Sequence, residues 1–119
     1  HAEATSEKMA IGQYLDGRVS MVVGTHSHVP TADAQILSKG TAYQTDLGMC
    51  GDYDSVIGMQ QDAAIGRFIK RMPSERLEPA NGEASVCGVF MECDDNNGHA
   101  KRIEPIRIGG RLAQNMPTI

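Results

Sequence analysis

Val19 to Gly24 reads Val-Ser-Met-Val-Val-Gly, a short, β-branched and nearly unbroken apolar run. Such a run suits a strand buried on both faces, as in a parallel sheet covered on each side. The preceding segment narrows the choice. Glu3 to Asp16 carries Ile11, Tyr14 and Leu15 at i, i+3 and i+4, with Ala4, Lys8 and Met9 extending the pattern backward, so an amphipathic helix is predicted there. Thr5 or Ser6 is placed to cap its start, and Asp16-Gly17 to stop it, since Gly accepts the left-handed turn that ends a helix. Helix, glycine turn and buried strand make half of a βαβ unit. The missing partner would be a strand immediately before residue 1. Residue 1 is His and not Met, which agrees with a piece of a longer chain.

After Pro30 the pattern shortens. Ala34 to Leu37 and Thr41 to Thr45 flank Ser38-Lys39-Gly40, and the turn predicts an antiparallel hairpin. Gly48, Gly51 and Gly58 punctuate an irregular stretch. Gln61 to Arg71 is predicted helical, with Ile65, Phe68 and Ile69 on one face and Pro73 ending it. Ser74 to Gly82 reads as a polar loop. Ala84 to Glu92 and Lys101 to Ile108 are predicted strands joined by Asp94-Asp95-Asn96-Asn97-Gly98, residues that accept turn conformations. Pro105 makes the last strand an edge or bulged strand. The expected class is α/β, in a single unit over residues 1–119.

Composition excludes whole classes of function. With 40% apolar and 22% charged residues, the chain is an ordinary globular sequence and not a disordered one. A formal net charge of −4 disfavours generic nucleic-acid binding, which calls for a basic excess. Cys50, Cys87 and Cys93 are odd in number and lack C-x-x-C spacing. On one strand Cys87 and Cys93 would lie about 20 Å apart, too far to bridge. Three free thiols suit a reducing cytoplasm. No run approaches the roughly 20 apolar residues of a membrane span, and no basic segment followed by an apolar stretch opens the chain.

The chemistry-bearing residues are few. Thr25-His26-Ser27-His28 follows the predicted strand directly. Imidazole is the commonest neutral metal ligand, and ligands gather outside the carboxyl ends of strands in open α/β sheets. If a strand precedes the first helix, His1 shares that rim, and His1, His26 and His28 converge. On spacing alone the pair reads equally well as metal ligands or as plain loop residues. His99, after Gly98, reads as a surface residue. Asp94 to Gly98 places its Gly one position early for a calcium loop and lacks the closing Glu, so a hairpin turn is preferred. Cys50 has no His neighbour in sequence and reads as inert. Asp46, Asp52 and Asp54 read as solvated loop acids or as support for a metal site.

Three ordered motifs then carry a resemblance. His-Ala-Glu-Ala-Thr-Ser-Glu-Lys at 1–8, Val-Val-Gly-Thr-His-Ser-His-Val-Pro-Thr-Ala-Asp at 22–33 and Tyr-Gln-Thr-Asp-Leu-Gly-Met-Cys-Gly at 43–51 resemble the YmdB-like metallophosphoesterases of the calcineurin-like superfamily. The ending Lys-Arg-Ile-Glu-Pro-Ile-Arg-Ile-Gly-Gly-Arg-Leu is similar too. The resemblance implies a four-layer αββα sandwich, of which residues 1–119 would be the C-terminal portion. It implies phosphodiester hydrolysis at two divalent metal ions (Mn, Fe or Zn), with 2′,3′-cyclic nucleotides as substrates of some members. His1 and His26 would bind one ion and His28 the other. The family's opening half, which carries the oxygen ligands and the acid or stabilising histidine, is not in these residues. No catalytic acid is therefore expected within this chain, and the portion alone is expected to be inactive. The implied partner is a small phosphodiester; no membrane contact is expected, and a homo-oligomer is allowed. The alternatives are a non-catalytic metal-binding or interaction module, and a homo-oligomeric scaffold with incidental histidines.

Overall fold

The fold, described by a computed structural model over residues 1–70 and 76–119, runs α1 (Thr5–Leu15), β1 (Met21–Val23), β2 (Gln35–Ile36), β3 (Ala42–Gln44), α2 (Gln61–Lys70), β4 (Val86–Cys93) and β5 (Ala100–Ile108). The predicted end of the second helix at Arg71 and Pro73, and the start of the polar loop at Ser74, lie outside the described residues. No described helix is long and apolar enough to cross a membrane.

β3 is the centre of a mixed three-stranded sheet. It pairs parallel with β1, Val22 facing Tyr43, and antiparallel with β2, Ile36 facing Ala42. The β2–β3 hairpin is the one predicted, closed by Leu37 N–H on Thr41 O at 2.8 Å and Gly40 N–H on Leu37 O at 2.9 Å. β1 departs from expectation. Met21 is exposed and Val22 and Val23 are only half-buried, and β1 is hydrogen-bonded on one side alone among the described residues.

The interior differs most from the sequence reading. Thr41 to Asp46 are six consecutive buried residues, and four of them are polar. Burial of polar groups is tolerable only when each finds a hydrogen-bond partner. Asp33 supplies one set: its carboxylate accepts from Thr31 Oγ1 at 2.7 Å, Thr45 N–H at 3.1 Å and Thr45 Oγ1 at 2.5 Å. Burial raises the Asp33 pKa, but the Thr31 and Thr45 donors outweigh it and hold the carboxyl below its ordinary value. Asp16 supplies another, accepting Lys39 N–H at 2.9 Å and Thr41 N–H at 3.2 Å.

α1 turns an unexpected face inward. Its buried residues are Lys8 and Gly12, while Ile11 and Tyr14 of the predicted apolar stripe are exposed. Gly12 lies against the Tyr43 ring, and a Cβ there would stand 2.7 Å from Tyr43 Cδ2. The helix starts without a side-chain cap, Ala4 taking the N-cap position instead of Thr5 or Ser6. It stops as predicted, with Gly17 left-handed at φ 83°. α2 likewise puts Ile65, Phe68 and Ile69 on one face, but that face is exposed and only Ala64 is buried.

β4 and β5 form a separate antiparallel pair with a bulge at Glu92/Cys93, slightly shifted from the predicted bounds. The Asp94–Gly98 connection is a turn, Gly98 N–H bonding Asp94 O at 2.7 Å and Asn96 N–H bonding Asp94 Oδ1 at 2.7 Å. β5 carries Pro105 and is an edge strand, its other side bridged to Asn115 at Arg107. The hairpin is tied to the first sheet by Ser20 Oγ on Gly98 O at 2.7 Å and Ala100 N–H on Gly40 O at 2.7 Å. His99 is exposed, as read, yet its ring lies over the bare face of Gly40. All three cysteines are free.

The molecule is a slab of 55 × 30 × 16 Å with a radius of gyration of 17.0 Å, against about 13.5 Å for a compact domain of this length.

Two outcomes follow from this interior. Gly12→Ala raises helix propensity but drives a methyl into the Tyr43 ring, and a net loss of about 1–3 kcal/mol is expected in chemical denaturation. The Asp33 contribution is complete above the ordinary carboxylate pKa and is lost as pH falls through the depressed folded value. Acid melts of the wild type should therefore drop more steeply below about pH 4 than those of Asp33→Asn; equal slopes would contradict the network.

Candidate metal-binding site at the end of strand β1

β1 is followed by Gly24, whose backbone N–H bonds Gln44 O at 3.0 Å and whose carbonyl receives Leu47 N–H at 2.9 Å. A Cβ at Gly24 would overlap Thr45 O, so only glycine lets the chain leave the sheet this close to β3. The next residues fold back as a tight loop. His26 has φ 114° and His28 φ 68°, a pair of left-handed non-glycine residues on either side of Ser27. Each such residue costs about 1–3 kcal/mol and persists where surrounding contacts over-determine it.

The loop lies beside the segment that leads into α1. His1 Nε2 stands 3.3 Å from His26 Nδ1, with the two rings edge-on at 84° and 4.9 Å between centroids. Two nitrogens bound to one tetrahedral ion at about 2.0–2.1 Å stand about 3.3–3.4 Å apart. The contact is a ring-to-ring hydrogen bond, and the same spacing would suit two nitrogens held by one divalent ion. The far nitrogen of His1 is also fixed, His1 Nδ1 meeting Thr25 Oγ1 at 2.8 Å, the outer-shell partner that ligating histidines usually have. His28 points elsewhere. Its Nδ1 donates to Ile57 O at 2.8 Å, which fixes the tautomer and leaves Nε2 as the bare lone pair.

The structure thus brings two of the three sequence-predicted histidines together and holds the third in a separate direction. Among the described residues no three His, Cys, Asp or Glu side chains gather into a metal cage. The aspartates also part company. Asp52 accepts from Asp54 N–H at 2.8 Å and Gly82 N–H at 2.9 Å, and Asp54 pairs with Arg111 at 3.5 Å, both away from the histidines. Asp46 is no solvated loop acid. It is fully buried, accepting Ser27 N–H at 2.7 Å and Gly48 N–H at 2.9 Å and pairing with Lys8 Nζ at 3.3 Å. Burial raises its pKa, but the Ser27 and Gly48 amides and Lys8 prevail and hold it below the ordinary value. Cys50 is exposed, with its thiol on Cys87 O at 3.4 Å.

Sequence reasoning missed Thr25, Lys8 and the Ile57 carbonyl as supports of the histidines. Thr25 was within reach, being adjacent to His26. The Ile57 carbonyl carries no signal in sequence, since any residue offers one. Between His1 and the side of β1 lies a cleft of ≈ 210 Å³, lined by Lys8, Ile11, Val22 and Tyr43 among others.

Known proteins resemble the chain both in sequence and in fold. It is 53% identical over 108 residues to the 2′,3′-cyclic-nucleotide 2′-phosphodiesterase of Bacillus subtilis, an alignment covering 91% of this chain and 40% of that protein. It superposes with a TM-score of 0.85 on the crystal structure of a hypothetical protein from Thermus thermophilus, at 45% identity, covering 93% of this chain and 43% of the other. A novel phosphatase of Mycoplasma pneumoniae gives the same TM-score of 0.85 at 44% identity, over 92% of this chain and 39% of its own. The chain therefore spans about two fifths of the length of these relatives. The YmdB-like protein model matches residues 1–106, from the His1 motif almost to the end of the β4–β5 hairpin, and the chain belongs to the YmdB-like family.

Proposed function

We propose that this chain is the histidine-bearing portion of a metal-dependent phosphodiesterase that cleaves small phosphodiesters of the 2′,3′-cyclic nucleotide class. The observation that carries the reading is the 3.3 Å approach of His1 Nε2 to His26 Nδ1 at the carboxyl end of β1. The substrate class rests on the name of the Bacillus subtilis relative. His1 and His26 hold one divalent ion and His28 a second, with Mn, Fe or Zn all compatible with imidazole and oxygen donors. The oxygen donors, and the group that protonates the leaving oxygen, would come from the part of the relatives' length that this chain does not span. That same portion completes a four-layer αββα sandwich, a reading supported by the exposed apolar side chains of Met21 and of Ile65, Phe68 and Ile69. Three free thiols support a cytoplasmic setting.

When bound, such ions lower the pKa of a bound water and neutralise charge developing on the phosphoryl oxygens. The chain's own work is orientation. Thr25 Oγ1 holds the His1 ring from behind, so that Nε2 faces the site. The Ile57 carbonyl takes the His28 Nδ1 proton and commits Nε2 to ligation. The Ser27 amide, held by Asp46, keeps both loop histidines from relaxing to ordinary backbone angles.

In the full-length protein, His26→Ala and His28→Ala should each lower metal content and cut bis-p-nitrophenyl phosphate hydrolysis by at least about 100-fold, beyond the 10–100-fold usual for outer-shell changes. Unchanged metal and unchanged turnover in both variants would remove the basis for this reading. Chelation should abolish hydrolysis, and added Mn²⁺ or Zn²⁺ should restore it; activity that survives thorough chelation contradicts a metal mechanism.

A further inference from the structure

We propose that Asp46, clamped by Lys8, is the positioning residue that sets the two histidine-bearing segments in register. The inference rests on the reading of His1, His26 and His28 as metal ligands, and it assigns a role to two residues that hold no metal themselves. One oxygen does most of the joining. Asp46 Oδ2 accepts both Ser27 N–H at 2.7 Å and Lys8 Nζ at 3.3 Å. The first bond ends between His26 and His28, and the second ends on the first turn of α1, seven residues after His1. Asp46 Oδ1 takes Gly48 N–H at 2.9 Å and so fixes the carboxylate plane.

The Asp46 backbone is itself anchored independently of its side chain. Its carbonyl receives Thr31 N–H at 3.0 Å and Gln44 Nε2 at 3.0 Å, and its N–H donates to Thr31 Oγ1 at 2.9 Å. The carboxylate is therefore presented from a fixed strand end toward both histidine-bearing segments. Lys8 reaches it across the bare face of Gly24, its Cδ standing 3.0 Å from where a Cβ would be. The pair is shielded from solvent, Lys8 at 6% and Asp46 at 0% exposure, so it exerts its attraction without the screening that weakens surface ion pairs.

Among the described residues the Asp46 side chain bonds the two ligand-bearing segments and the glycine turn after it. Substitution of the side chain leaves the Thr31 and Gln44 bonds in place, which makes the role testable apart from folding.

The test uses the full-length protein, with Mn²⁺ titration for affinity and the visible spectrum of the Co²⁺-loaded form for ligand geometry. Asp46→Asn keeps the shape but presents an amide –NH₂ where one of three donors needs an acceptor. Mn²⁺ affinity is expected to fall about 10–100-fold and the Co²⁺ bands to shift, while KM for bis-p-nitrophenyl phosphate at saturating Mn²⁺ stays within about twofold and kcat falls. Lys8→Met/Asp46→Leu serves should the single variant fail to fold, because it removes the Ser27 acceptor without leaving a buried charge unpaired; the same loss of affinity and the same spectral shift are expected. Wild-type affinity and spectrum in a folded variant overturn the positioning role. His26→Ala separates the two levels: if it loses metal while Asp46→Asn does not, the metal site stands and only the positioning role falls. If His26→Ala also binds Mn²⁺ as wild type, the site itself is wrong.

Discussion

Three aspartates, each accepting at least one backbone N–H from a segment distant in sequence, brace the first sheet. Asp16 takes the amides of Lys39 and Thr41, Asp33 that of Thr45, and Asp46 those of Ser27 and Gly48. Bonds to an ionised acceptor are roughly twice as strong as neutral ones, and all three converge on the buried run from Thr41 to Asp46. The run's own side chains add to these bonds, Thr41 Oγ1 donating to Val19 O at 2.7 Å and Gln44 Nε2 to Thr31 O at 3.1 Å, while Gln44 Oε1 is buried without a partner among the described residues. Together these bonds make the run the rigid bar against which α1, the hairpin turn and the histidine loop are measured.

The apolar contribution is correspondingly small. Among the described residues the buried hydrophobic ones are Leu37, Ala42, Tyr43, Ala64 and Cys87, while Tyr14, Phe68 and Ile69 stay largely exposed. Specificity of shape then comes from close backbone approaches, and glycine is what permits them. Gly12 lets α1 touch the Tyr43 ring, and Gly24 lets the chain turn off the sheet against Thr45. The second approach lies directly before the histidine loop, so the path that carries His26 toward His1 depends on a missing side chain at Gly24.

Much of the local structure was legible because it is decided locally. α1, the β2–β3 hairpin, the Asp94–Gly98 turn and the edge character of the Pro105 strand all follow from propensity, turn chemistry and a missing N–H. Burial was not legible. Periodicity assigned the inner face of α1 to Ile11, Tyr14 and Leu15, but a helix buries whichever face its neighbours can satisfy. Here that face is Lys8, whose charge is matched by an aspartate 38 residues away, and Gly12. The same reason explains Asp46, which resembles Asp52 and Asp54 in sequence and differs from them in being buried and paired with Lys8.

By itself the sequence determined the order of elements, the presence of two histidines just beyond a strand end, and the motifs that place the chain in its family. These are properties of neighbours along the chain, where spacing and residue type suffice. Only the tertiary structure decided which histidines meet. His1 and His26 are 25 positions apart and face each other at 3.3 Å, whereas His28, two positions from His26, is turned toward Ile57. That outcome depends on a left-handed backbone on both sides of Ser27 and on a buried carboxylate holding it there, and hydrogen bonds between distant segments leave no period for a sequence to display.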